Sequence, residues 1–417
     1  MAAVPAVQEL IALAMKDNPG IGASRHRAEA GAARVGPAGA LPDPQASFGI
    51  QRGPERDVVI SGDGMAGGLH GMLPGMTEYM FTLGQELPWP GKLAAKERVA
   101  EAAARRSEVD ARGASLALET EVLSNALELM LLQARRRLLS MQSDHWGTIE
   151  EIVRSRIDQG GSGAGDAIMA MQERSRLKLR LLELDSQAQD RRDALNQLAA
   201  RDQGTPIDIG TDILGIDLPK PPSETELLDD LRGRNPEWLG AAVDVRAAEA
   251  AEHSAKMDRF PDFFAGAGVS KMSSMTGAMP LAWKAEVGVS VPLWGGRKQG
   301  RMVDMAKAER RTAESLQAGL GLELAAKARE RARAWRLAFD TAETYAAELI
   351  PNGNAALEIL VARLQSGGAS FLSIVEGLNA LLMDQEKRLD AVAQVHRLAI
   401  LQHGASMDNQ ARPSKDM

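Results

Sequence analysis

The residues with the most distinctive chemistry are methionines gathered in two stretches, each lying between runs of alternating residues. The first holds Met65, His70, Met72, Met76 and Met80, and the second holds Met272, Met275 and Met279. Thioether and imidazole groups suit soft cations such as Cu(I) and Ag(I). Abundance is the plainer explanation, since the chain has 19 methionines and loops tolerate them. Nothing else reads as a reactive centre. With no cysteine, thiolate ligands, disulfides and a cysteine nucleophile are excluded. There is no Walker A loop and no HExxH helix, and the six histidines stand singly. His145, His253 and His396 fall in helical stretches and read as interface or surface residues rather than ligands. The expectation is a protein that is not an enzyme, with no catalytic residue and no cofactor. A net charge of −7 speaks against nucleic acid as a partner, because phosphate binding needs a clustered positive surface.

The elements that would position these stretches are duplicated. Asn18-Pro19 before an Ala-rich helix recurs as Asn235-Pro236, and Leu41-Pro42-Asp43 recurs as Phe260-Pro261-Asp262. Leu83-Gly84 through Leu87-Pro88-Trp89-Pro90-Gly91 recurs as Val287-Gly288 through Val291-Pro292-Leu293-Trp294-Gly295. Arg156 through Gly160-Gly161 recurs as Arg363 through Gly367-Gly368. Four matches in the same order define two repeats, residues 1–203 and 224–404, joined by a linker at 204–223 and followed by a polar tail at 405–417 expected to be disordered.

Each repeat reads as helix, strand, loop, strand, long helix, turn and helix. Long helices are expected at about 92–159 and 166–202, and again at about 297–365 and 371–402, with Pro351 interrupting the third. The first has no proline and is dense in Ala, Leu, Glu and Arg, and at about 1.5 Å per residue it would be on the order of 100 Å long. Such a helix needs coiled-coil or bundle partners. In the linker, Ile207 and Ile209 alternate with Asp208 and Gly210, which suggests a short strand.

Strands are expected at about 45–51, 78–87, 262–270 and 282–291. One face carries Phe48, Ile50, Tyr79, Phe81, Leu83, Val269, Trp283, Val287 and Val289; the other carries Ser47, Gly49, Thr82, Gly84, Gly266, Gly268, Lys284 and Glu286. Alternation alone fits two hairpins on a soluble core better than a membrane sheet. Yet the strand length fits a tilted membrane strand of about nine to eleven residues, and nine of the fifteen aromatic residues lie in or beside these strands. No run of about 18 apolar residues exists for a membrane helix, and Met1–Pro5 carries no charged leader followed by an apolar stretch. Four strands leave two open edges, so closing a membrane barrel requires several copies, and three would supply twelve strands.

At this point the sequence resembles the TolC family of outer-membrane efflux proteins over nearly its whole length. The most specific marks are Leu83-Gly84-Gln85-Glu86-Leu87-Pro88-Trp89-Pro90-Gly91-Lys92 and the two Arg-x3-Gly turns. The Pro-Trp-Pro-Gly-Lys form is most similar to the heavy-metal efflux branch. The resemblance implies a mainly α chain with a small β part: duplicated long helical hairpins forming a periplasmic α-barrel, plus four antiparallel strands in a trimeric twelve-stranded outer-membrane β-barrel. It implies a homotrimer in outer-membrane lipid of a Gram-negative bacterium, docked to a periplasmic membrane-fusion adaptor and an inner-membrane pump of the resistance-nodulation-division class. The implied activity is passive export, with heavy-metal cations such as copper, silver, cobalt, zinc or cadmium as cargo. A duct for drugs or other small molecules, or a soluble coiled-coil scaffold, are the alternatives. The family's lipid-bearing cysteine has no counterpart here.

By the same resemblance Asp166, Glu376 and Ser373 fall at pore-lining positions after the hairpin turns, where threefold symmetry would make rings of carboxylates that attract cations. Asp166 is equally explained as a first-turn acid at a helix N-terminus. Arg156, Gly160, Gly161, Arg363, Gly367 and Gly368 mark candidate adaptor-docking tips, which could as well be simple tight turns. Pro88, Trp89, Pro90, Gly91, Pro292, Trp294 and Gly295 mark the junctions between strands and helices, where proline ends both a ladder and a helix.

Overall fold

The computed structural model describes residues 4–52, 77–158, 164–274, 277–278, 281–292, 294–365, 368 and 370–407. The first repeat runs α1 (Pro5–Asp17), α2 (Pro19–Ala33), α3 (Val35–Gly39), β1 (Gln45–Arg52), β2 (Thr77–Leu87), α4 (Lys92–Asp158) and α5 (Ala164–Leu198). The second runs α6 (Glu224–Arg234), α7 (Pro236–Met257), β3 (Asp262–Ser274), β4 (Gly277–Ala278), β5 (Ala282–Ser290), α8 (Gln299–Thr344), α9 (Ile350–Gln365) and α10 (Phe371–His403). Two compact units result: residues 1–28, 107–242 and 316–417 form a helical unit, and residues 29–106 and 243–315 form a unit around the sheet.

The helical unit buries apolar stripes at three- and four-residue spacing, as α10 shows with Phe371, Ile374, Leu378, Leu382 and Leu389. One core cluster gathers Leu10 and Ile21 with Leu123, Leu127, Met130 and Leu131 of α4, joined by Ile209 and Ile213 of the linker. A second joins Trp146, Ile149 and Val153 to Ala170, Leu177, Phe371 and Leu378. A third packs Leu227 and Leu231 on Leu324, Trp335, Val395 and Leu398. The duplication is visible in the bonds as well. Asn18 caps the end of α1 and donates its side-chain amide to the Leu198 carbonyl at 3.0 Å; Asn235 caps α6 and donates to the Ala405 carbonyl at 2.7 Å. Each asparagine thereby ties the entry helix of its repeat to the end of its return helix. At the end of α10, a Cβ on Gly404 would overlap the side chain of Thr120 in α4. Gly404→Ala is therefore expected to destabilise the helical unit by about 1–3 kcal/mol, because overpacking forces backbone shifts. Denaturant titration checks this, and adding Thr120→Ala should return part of the loss.

In the sheet unit the antiparallel order is β1-β2-β3, with β4 and β5 both pairing on the far side of β3. Gln45 opposes Gly84 in the first hairpin, and Phe264 opposes Gly288 in the second. The repeat offsets are 219 for the first strand (Asp43 to Asp262) and 204 for the second (Gly84 to Gly288). Applied to the first hairpin's register, they reproduce the second's. Phe48 opposes Phe81, Phe81 opposes Val269, and Val269 opposes Trp283, so the apolar residues of all four main strands share one face.

Several expectations need correction. Ile207 and Ile209 are buried, but residues 204–212 form no strand. Their alternation serves to place two side chains in the helical core, and the Gly210 amide closes a turn onto the Asp208 carboxylate at 2.9 Å. Pro351 interrupts the α-helical pattern without ending the helix. The chain takes a π turn at Tyr345–Leu349 just before it and continues into α9; the wider turn relieves the clash and the missing donor of a mid-helix proline. Met272 belongs to β3, where it opposes Glu78, and Met80 lies within β2 opposite Ser270, so neither is a loop residue. Of the tail expected to be disordered at 405–417, the first residues are packed instead: Ala405 is buried and the Ser406 carbonyl accepts from Arg331 at 2.6 Å, while the residues beyond 407 lie outside the described ones.

Candidate functional site

The junction between β2 and α4 is the most tightly built feature of the sheet unit. The Lys92 amide donates to the Trp89 carbonyl at 3.0 Å, with Pro90 and Gly91 at the corner and Gly91 at φ 94°. This is the pattern of a type II turn, which wants proline first and glycine second. The Ala95 amide then donates to the Gly91 carbonyl at 2.9 Å and opens α4. The Pro-Trp-Pro-Gly-Lys motif is thus a turn that stops a strand and starts a helix within four residues.

The same turn is locked to the second repeat. Asp262, at the start of β3, accepts from the Trp89 amide at 2.9 Å and from the Lys92 ammonium at 2.8 Å. The Lys92 side chain is only 6% exposed, which makes the carboxylate its necessary counter-ion. The Trp89 ring stacks on both Phe260 and Phe263, with centroids 5.4 and 5.6 Å away. Lys92, Asp262, Phe260 and Phe263 were not among the expected site residues. The signal was present in the repeated Pro-Asp that precedes each first strand.

At the second junction, Pro292 is half-buried, its carbonyl accepts from the Gly295 amide at 3.0 Å, and Trp294 is 74% exposed.

At the hairpin tips, Asp166 occupies the first turn of α5, the place expected of an acid that favours a helix N-terminus. Ser370 caps α10 by accepting from the Ser373 amide at 3.2 Å, and the two hydroxyls share a hydrogen bond of 2.8 Å. Ser373 is therefore part of the cap. Glu376 is exposed one turn further on. Arg363 sits in the last turn of α9, and its carbonyl accepts from the Gly368 amide at 2.8 Å, which closes the helix end. Arg156 lies in the last turn of α4. Gly160, Gly161 and Gly367 lie outside the described residues, as do Met65, His70, Met72, Met76, Met275 and Met279.

Behind the tips, Glu150 of α4 is buried and accepts from Arg154 at 2.6 Å and Arg174 at 2.8 Å. Arg135 of α4 pairs with Asp390, and Arg180 of α5 with Glu386, both acids on α10. Of the three helical histidines, His145 and His253 are exposed as expected. His396 is a core residue instead, 2% exposed, and burial lowers its pKa to about 4, so it stays neutral. No cluster of metal-ligating carboxylates or imidazoles occurs among the described residues. No helix there is long and apolar enough to cross a membrane.

A four-stranded antiparallel sheet built from two hairpins of one register, each leading into paired long helices, defines the fold class of the outer-membrane efflux channels. Residues 10–201 match the model of the outer membrane efflux protein family, and the second repeat reproduces the elements of the first. Comparison with curated proteins found no match. Among solved structures, the outer-membrane channel OprN is similar at TM-score 0.79 and 16% identity, covering 96% of this chain and 90% of its own. VceC of Vibrio cholerae matches at TM-score 0.77 and 16% identity, covering 96% and 97%. CusC matches at TM-score 0.77 and 15% identity, covering 97% and 93%. These identities show a common fold, and CusC stands no nearer than the other two.

Proposed function

We propose that this chain is one subunit of a homotrimeric outer-membrane channel. The channel passively conducts cargo delivered by an inner-membrane pump of the resistance-nodulation-division class through a periplasmic membrane-fusion adaptor. The observation that carries the reading is the exposed apolar face of the sheet. Phe48, Trp283 and Val287 are 67%, 80% and 82% exposed on the face shared by all four main strands. A hydrophobic surface of that kind needs a cover, and a bilayer supplies one. Purified protein in a planar lipid bilayer should give discrete conductance steps with no energy source. Protein that inserts without steps would count against a channel.

The finer reading takes heavy-metal cations as cargo, supported by the Pro-Trp-Pro-Gly-Lys junction and by the acids at the hairpin tips. Asp166 and Glu376, one copy from each subunit, would form carboxylate rings near the periplasmic end. Charge-neutralising Asp166→Asn with Glu376→Gln should leave the trimer intact and weaken block by divalent cations several-fold. Unchanged block would remove both residues from the pore. Soft-metal handling by Met65, His70, Met72, Met76, Met272, Met275 and Met279 predicts lower copper tolerance when all seven are replaced, and equal tolerance would rule it out.

A further inference from the structure

The sheet has two open edges, and the duplication says how a second copy fits between them. All eight residues of β1 are exposed, and β5 is exposed at every position except Gly288. Among the described residues no strand pairs with the outer side of either. Inside the chain, the second strand of repeat one (β2) pairs with the first strand of repeat two (β3). Moving one step round the same pattern, the second strand of repeat two (β5) meets the first strand of repeat one (β1), which must come from another copy.

The trimeric barrel closes between β5 of one copy and β1 of the next, and the geometry points to one definite register for that seam and to an ion pair between Arg297 of one copy and Asp43 of the next. This rests on the trimeric reading above. The register follows from the repeat offsets. Gly84 opposite Gly266 within the chain becomes Gly288 opposite Ser47 of the neighbour, and Leu83 opposite Ala267 becomes Val287 opposite Phe48. Phe81 opposite Val269 becomes Ala285 opposite Ile50. Apolar residues then meet apolar ones, and Gln51 meets Lys284 on the polar face. A slip of one residue would invert one strand's faces, so the pattern resists it.

The junction clamp carries over in the same way. Asp262, which holds Lys92 and the Trp89 amide, corresponds to Asp43; Phe260, which stacks on Trp89, corresponds to Leu41. Asp43 is exposed and Leu41 is 56% exposed, where their counterparts in repeat two are engaged. On the other edge, the position matching Lys92 falls at Gly296, with Arg297 next to it, and the exposed indole of Trp294 stands one residue beyond the position matching Trp89. Neither Asp43 nor Arg297 has an ion-pair partner among the described residues. Their charges are complementary, and the longer arginine side chain spans the extra residue. The contact joins unlike patches, so it repeats head to tail and can close a ring.

The absence of native cysteine makes the test clean. Ser47→Cys with Gly288→Cys, oxidised to a disulfide on the assembled protein, should yield covalent dimers and trimers on a non-reducing denaturing gel, because a disulfide reaches only directly opposed residues. Ser47→Cys with Glu286→Cys, two residues out of register, should give at least tenfold less. Equal or reversed yields would overturn the register. A particle of trimer mass with no cross-link in either pair would overturn the seam and leave the trimer standing; a monomeric particle would overturn both. Asp43→Arg and Arg297→Asp should each lower the temperature at which the trimer dissociates in detergent, and the two together should restore it. A double variant no better than either single one would discard the ion pair.

Discussion

Replacing Trp146 with alanine is expected to cost about 3–5 kcal/mol and to loosen the hairpin tips while sparing the rest of the helical unit. Trp146 is 1% exposed, and its ring meets Phe371 of α10 at 6.3 Å with the planes tilted by 56°. Around these two lie Ile149, Val153, Ala170, Leu177 and Leu378, drawn from α4, α5 and α10. The indole is therefore the largest buried group holding the first hairpin against the second near their turns. Truncation leaves a cavity that stiff helices cannot fill, which places the effect at the upper end for core substitutions. The clusters around Leu127 and around Leu231 do not contain Trp146, and the first meets its cluster only through the partly buried Leu138 and Leu184, so their protection should persist. Hydrogen exchange resolved along the chain gives the readout. Fast exchange confined to the tip halves of α4, α5 and α10 is expected; unchanged protection there would mean that the tip is held by the ion pairs alone. Trp146→Phe keeps most of the apolar volume and should lose far less.

Asp262→Ala should be the most damaging single change in the sheet unit, at about 3 kcal/mol. Removing one partner of a buried pair strands the other charge, and the loss approaches about 3–5 kcal/mol when both are deeply buried. Here Lys92 is 6% exposed and Asp262 24%, which favours the lower figure. The alanine variant also orphans the Trp89 amide. The thermal transition of the folded protein in detergent should fall, and adding Lys92→Met should recover much of it by removing the stranded ammonium. A double variant as unstable as the single one would show that the bond to the Trp89 amide, and not the charge pair, holds the turn.

The parts of this fold legible in the sequence were those written in local pattern or in repetition. The proline-free run gave α4 from its start at Lys92, and the alternation of Tyr79 through Leu87 gave β2 and its two faces. The repeat itself predicted two hairpins of one kind, and the match of their registers is its strongest expression. What local pattern could not show was pairing between distant residues. Lys92 and Asp262 lie 170 positions apart, and no spacing rule joins them. Ile207 and Ile209 alternate as a strand would, yet a strand needs a neighbour with free backbone groups, and the helices beside them have none to offer. Pro351 shows the converse, since a π turn absorbs a residue that sequence rules treat as a break. At the tips, the resemblance places Ser373 at a pore-lining position, and no local pattern shows that its hydroxyl also meets that of Ser370 at the α10 cap.

The most direct measurement of the central claim is the mass and membrane origin of the native particle. Outer-membrane fractions should release the protein only with detergent, as a particle whose protein mass is three times the 44.6 kDa of the chain. Recovery as a monomer from the aqueous fraction, with the apolar faces of β1 and β5 remaining in water, would contradict the account.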